Sequence, residues 1–156
     1  MASDLVAGWE MSQEANLFLL QHVPAEHLGA SYAARTREIR AQFAHLHDVR
    51  LRWLKHAAPA FARGAEPLGK GAHTSAQLRK ALVDSAGRVG AFLAECEAKG
   101  KVPSWKGPPA TFLSYLVAHE AHHRGLVLVT LRQAGQRMPQ EVVYGLWDWG
   151  KRSSRG

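Results

Sequence analysis

Thr111-Phe112-Leu113-Ser114-Tyr115-Leu116-Val117-Ala118-His119-Glu120-Ala121-His122-His123 follows the breaker Pro108-Pro109 and leads into an apolar run from Leu126 to Leu131. Phe112, Leu116, His119, His123, Leu126, Val127 and Thr130 recur at three- and four-residue spacing. This predicts one long helix with a single inward stripe. Residues four apart on a helix lie one above the other, so the imidazoles of His119 and His123 can reach one ion. Two histidines one turn apart on a buried stripe each need a polar partner, and an unpaired buried polar group costs roughly 1–3 kcal/mol. A divalent metal satisfies both through neutral ring nitrogens. His122 falls toward the edge of the stripe and reads as a flanking residue. Glu120, about 100° round from His119, reads as facing outward.

Around this helix the chain divides into three further helical stretches. The first runs from about Leu5 to His22 and stops before Pro24. The second runs from about Ala33 to His56, with Ile39, Phe43, Leu46, Val49, Trp53 and Leu54 as its apolar positions. A loop rich in Ala, Gly and Pro spans Ala57 to Ala72. The third stretch, capped by Thr74 or Ser75, carries Leu78, Leu82, Val89, Phe92 and Leu93 to about Ala98. Gly107-Pro108-Pro109 closes a second loop, and the fourth helix ends near Ala134-Gly135. Met138 to Gly150 is short and aromatic and reads as a strap across the bundle. No alternating pattern is long enough for a sheet. The expectation is an all-α four-helix bundle, with one domain over 1–150 and a frayed tail over 151–156.

With 156 residues the chain can bury one sizeable core. Its single cysteine, Cys96, excludes an intrachain disulfide framework and a cysteine-based zinc site. The first residues lack the basic-then-apolar pattern of a signal peptide, and no stretch has the length and apolarity of a membrane helix. The expectation is a soluble cytoplasmic protein without a membrane partner. The formal charge of +7 is spread from Arg35 to Arg155 with no nucleic-acid-binding motif, so no specific nucleic acid is expected.

Two ligands on one helix leave a metal under-coordinated, and a third should come from a neighbouring helix. The second helix offers His45 and His47. By periodicity the apolar centre lies nearer His47, whereas His45 falls on a small-sided flank with Ala41 and Val49. That pattern leans slightly to His47 without settling the choice.

Gln42-Phe43-Ala44-His45-Leu46 with Trp53 eight residues after the histidine, His119-Glu120-Ala121-His122-His123-Arg124-Gly125, and the tail Leu131-Arg132-Gln133-Ala134-Gly135 together resemble the DinB-like (DinB/YfiT) family. The resemblance covers roughly Leu5 to Gly135. It implies an up-down-down-up bundle, often dimeric, with the loop Ala57 to Ala72 as the crossover. It also implies a metal triad of His45, His119 and His123, holding nickel or zinc, and places His45 ahead of His47. Relatives usually have glutamine after the Arg-Gly, where this chain has Leu126. The best-understood relatives use low-molecular-weight thiols, so the resemblance implies a small-molecule substrate, possible homodimerisation, and either a metal-dependent hydrolase or a thiol-dependent transferase.

Two other readings stand beside it. One is a non-catalytic, stress-response metal protein whose triad is structural; four protein ligands would mark such a closed site. The other is a zinc protease through His119-Glu120-x-x-His123, with Glu120 as base and Glu141 as a third ligand. It lacks the strand system that holds a peptide, and Pro139 interrupts the chain before Glu141. Asp48 and Tyr115 are candidate partners for the ligands, and Arg124 is a candidate for steering an anionic substrate.

Overall fold

Every regular element among the described residues, 3–153 in this computed structural model, is helical. Four helices are long: α1 (Asp4–His22), α2 (Ile39–Ala57), α4 (Ser75–Lys99) and α5 (Pro109–Gln133). Between α2 and α4 lies the short α3 (Pro59–Ala62), and α6 (Gln140–Gly145) and α7 (Trp149–Ser153) follow α5. The all-α bundle expected from periodicity is thus what forms.

Local chemistry sets the helix ends. Thr74 and Gln77 make a reciprocal capping box at the start of α4, which satisfies two amides that the first turn leaves without partners. Gly100, with φ of 65°, closes that helix in the left-handed region, where glycine carries no Cβ penalty. The second helix starts at Ile39, six residues later than the pattern suggested. Thr36 Oγ1 accepts from the Ala33 amide and donates to the Ala33 carbonyl, and Arg35 adopts φ of 63°. Both features divert the backbone from helical hydrogen bonding. The aromatic strap resolves into α6 and α7. The latter extends into the segment read as a frayed tail, and the rest of that tail lies outside the described residues.

Side-chain bonds between helices give their directions. On α1, Leu5 meets Glu97 and Trp9 meets Ala86, so α1 and α4 are antiparallel. On α2, His47 meets Ala81 and Arg50 meets Ser85, so α2 and α4 are parallel. Gln42 meets His123 and Arg50 meets Glu120, so α2 and α5 are antiparallel. The order is up-down-down-up, and residues 58–74 make the crossover. Asp48 holds this crossover by accepting from the Leu68 and Gly69 amides at 2.7 and 3.0 Å. Arg88 clamps its other end on the Phe61 and Arg63 carbonyls.

The core comes in two apolar blocks. One contains Leu19, Ile39, Phe43, Leu46, Leu78, Leu82, Val127 and Leu131. The other contains Trp9, Leu51, Leu54, Phe92, Leu93, Phe112 and Leu116. On all four long helices a polar layer separates them: Ser12, Gln13 and Asn16 on α1, Arg50 on α2, Ser85 on α4, and Glu120 and Arg124 on α5. The candidate site lies at the α2–α5 edge of this layer.

Candidate metal centre

His45, His119 and His123 come together across α2 and α5, with one ring nitrogen of each within 4.8 Å of the others. The Nε2 atoms of His119 and His123 are 3.1 Å apart. Two nitrogens at about 2.0–2.1 Å from a tetrahedral ion are separated by about 3.3 Å, so this pair already has the spacing of co-ligands. His45 packs edge-on against His123, with ring centroids 4.6 Å apart. His123 is buried, whereas His45 and His119 are half-buried and reach solvent.

Gln42 sits one turn before the His45 level and sets the chemistry of His123. His123 Nδ1 lies 2.6 Å from Gln42 Oε1, a carbonyl oxygen that only accepts. The proton therefore resides on Nδ1, and the Nε2 lone pair is left facing His119 and His45. Tyr115 stacks on His119, one turn back along α5, with an interplanar angle of 22°. Of the two partner candidates, Tyr115 thus stacks on one of the three histidines, while Asp48 serves the crossover.

All three rings are held in the neutral, metal-ready form. Burial, followed by the charge of Arg37, brings His45 down to about 4. Burial, followed by the neighbouring His119 and His45, brings His123 down to about 3. Burial also lowers His119, with Glu120 opposing the shift. Three neutral imidazoles pointing at one place form a donor set that suits a borderline divalent ion.

No fourth His, Cys, Asp or Glu joins the group among the described residues. His47 is buried on the opposite side of α2, its ring nitrogens 2.9 and 3.0 Å from the Ala81 and Glu66 carbonyl oxygens. The lean toward His47 has a physical explanation. Periodicity locates the centre of the buried face, which packs on α4, whereas a site that meets solvent sits on the flank. His122 is exposed and outside the group.

Glu120 corrects the sequence reading most sharply. It is 1% exposed. Its carboxylate accepts from Arg50 Nε at 2.7 Å, from Arg50 Nη2 at 3.1 Å and from Asn16 at 2.7 Å. The helix α5 is covered by both α1 and α2, so its buried arc is wide enough to include the position beside His119. Arg124 also points inward, donating to Asn16 Oδ1 at 2.7 Å, and does not steer substrate from the surface. With its carboxylate neutralised by Arg50, Glu120 is not placed as the base of a protease. Glu141 is exposed on α6 and is not in the histidine group.

Two clefts border the histidine group and share His45. One, of about 770 Å³, runs past Arg35, Arg37 and Lys70 and has His45 in its wall. The other, of about 550 Å³, is lined by Trp53, Tyr115, Arg52 and His56 and includes both His45 and His119.

The model of the DinB family matches residues 1–150. No curated protein matches the chain. Among the described residues, no helix is long and apolar enough to cross a membrane.

Proposed function

The chain belongs to the DinB family, and from that premise we propose that it is a metal-dependent enzyme acting on a small molecule, most simply a thiol-dependent transferase. The observation that carries this reading is the three-histidine group, which no fourth His, Cys, Asp or Glu joins among the described residues, beside two clefts that share His45. A structural site closes its coordination with protein; a catalytic one leaves positions for water or substrate. His45, His119 and His123 hold the ion; an all-imidazole set suits several divalent transition metals, and the family resemblance implies nickel or zinc among them. Once bound, such an ion supplies Lewis acidity and acidifies a thiol or water that reaches it.

The protein's own residues prepare the place. Gln42 holds the His123 proton away from the ligand nitrogen, and Tyr115 braces His119. Two clefts suit two reactants better than the single substrate and water of a hydrolase. The only cysteine, Cys96, is buried in the core, and burial pushes its thiol up to about 11. Any reacting thiol is therefore a cosubstrate, not a side chain. A homodimer and a cytoplasmic setting belong to the same proposal, and sedimentation of the purified chain tests the first.

The experiment is a screen of low-molecular-weight thiols against electrophilic acceptors, using protein reconstituted with nickel or zinc. Thiol consumption that disappears in His119→Ala is the expected result. Turnover that survives removal of the metal would overturn the reading. Hydrolysis of an acceptor without thiol would move the protein to the hydrolase class.

A further inference from the structure

The cleft beside His45 carries a charge imbalance that the fold does not use. Its basic residues are Arg35, Arg37, Arg40 and Lys70, and its acidic ones are Glu38 and Asp48. Both acids are engaged. Glu38 pairs with Arg40 at 3.2 Å, and Asp48 accepts from the Leu68 and Gly69 amides. Arg40 also donates to the Leu28 carbonyl, so it is tied to the protein. Arg35, Arg37 and Lys70 have no carboxylate within ion-pair distance among the described residues.

These three cations are placed by the two segments that wall the cleft. Arg35 and Arg37 flank the turn closed by Thr36, and Arg35 holds a left-handed backbone conformation that is uncommon outside glycine. Such conformations persist where the surrounding structure imposes them, often at functional sites. Lys70 follows Gly69 on the crossover, which Asp48 anchors from the helix that also carries His45. His45 stands in the wall of this cleft and belongs to the histidine group, so the cleft opens beside the triad. The second cleft has an aromatic wall of Trp53 and Tyr115 and a single arginine, Arg52, in its lining.

We propose that Arg35, Arg37 and Lys70 form an anion-recognition subsite that holds a carboxylate or phosphate group of the substrate whose reacting atom reaches the His45–His119–His123 site. This deepens the functional reading above and rests on it. An anionic group seated there leaves the rest of the molecule directed along the wall that contains His45. The apolar reactant then enters from the aromatic side. A guanidinium fork can donate two parallel hydrogen bonds to a pair of oxygens on either anion, and Lys70 adds a mobile point charge.

The test is titration calorimetry of the purified full chain with succinate and, separately, inorganic phosphate, at low and at moderate salt. Metal content is measured on the same samples. Arg37→Gln and Lys70→Gln are compared with Lys101→Gln, which removes the same charge beyond α4 at the far end of the bundle. The expected result is binding weakened about tenfold by each cleft substitution, the scale of one charge-assisted contact, and unchanged by Lys101→Gln. Binding of succinate alone or phosphate alone supports the subsite and identifies its anion. No binding of either anion, equal binding in the cleft variants, or equal weakening by Lys101→Gln would overturn it. Metal present without Arg37-dependent binding defeats this inference alone. Arg37-dependent binding without metal defeats the metal reading and leaves the subsite standing.

Discussion

Arg50 and Glu120 form an ion pair at 2.7 Å with their side chains 1% and 2% exposed. The pair joins α2 to α5 directly behind the histidine group. Arg50 also donates to the Leu82 carbonyl, Ser85 and Gln13, and its guanidinium lies 4.7 Å from the centroid of the Trp9 ring. A buried charge is tolerated when its partners are all present, and removing one leaves the other uncompensated. The pair therefore belongs to the bundle's architecture, and catalytic loss on its mutation would come through the fold.

Glu120→Gln is expected to lower unfolding free energy by about 3–5 kcal/mol, the cost of breaking one side of a buried pair. Urea denaturation measures it. A variant with wild-type stability and abolished activity would instead make Glu120 a base and restore the protease-like reading.

Gln42→Leu is expected to weaken metal binding about 10- to 100-fold, the range for loss of a partner that orients a ligand. The substitution removes the acceptor that keeps the His123 proton on Nδ1. Competition against a chromogenic chelator gives the affinity. Affinity equal to wild type would show that His123 needs no such orientation.

The long amphipathic pattern of α5 and its i, i+4 histidine pair were legible because both follow helical geometry. The burial of Glu120 was not, since a single stripe was read on a helix that is covered on two sides. A signal was present elsewhere. Ser12 and Asn16 interrupt an otherwise inward face of α1 that carries Trp9, Leu19 and Leu20, and Arg50 sits among the apolar positions of α2. Polar residues at core spacing on separate helices imply that they meet. His45 was identified by resemblance and not by periodicity, because its flank position is what gives the site access to solvent. The cationic cleft was hidden for a different reason: Arg35 and Arg37 lie on the turn before α2 and Lys70 lies on the crossover, 33 positions after Arg37.

The metal-free protein should lose stability on mild acidification. The folded-state values of His45 and His123, about 4 and about 3, lie below the ordinary value of 6.5. Below about 6.5 the unfolded chain takes up protons at these rings while the folded chain does not. Their contribution is thus complete above 6.5 and is lost as pH falls toward 4 and then 3. Melting temperatures of chelator-treated protein should fall between pH 7 and pH 5, and His45→Ala should flatten that slope. A flat profile in the unsubstituted protein would show that the rings are not held neutral.

Elemental analysis of the purified chain beside His45→Ala, His119→Ala and His123→Ala tests the central claim most directly. The expected result is one nickel or zinc ion per wild-type chain, with substoichiometric metal in each variant. Equal metal content in wild type and His119→Ala would contradict the assignment of the three histidines as one site.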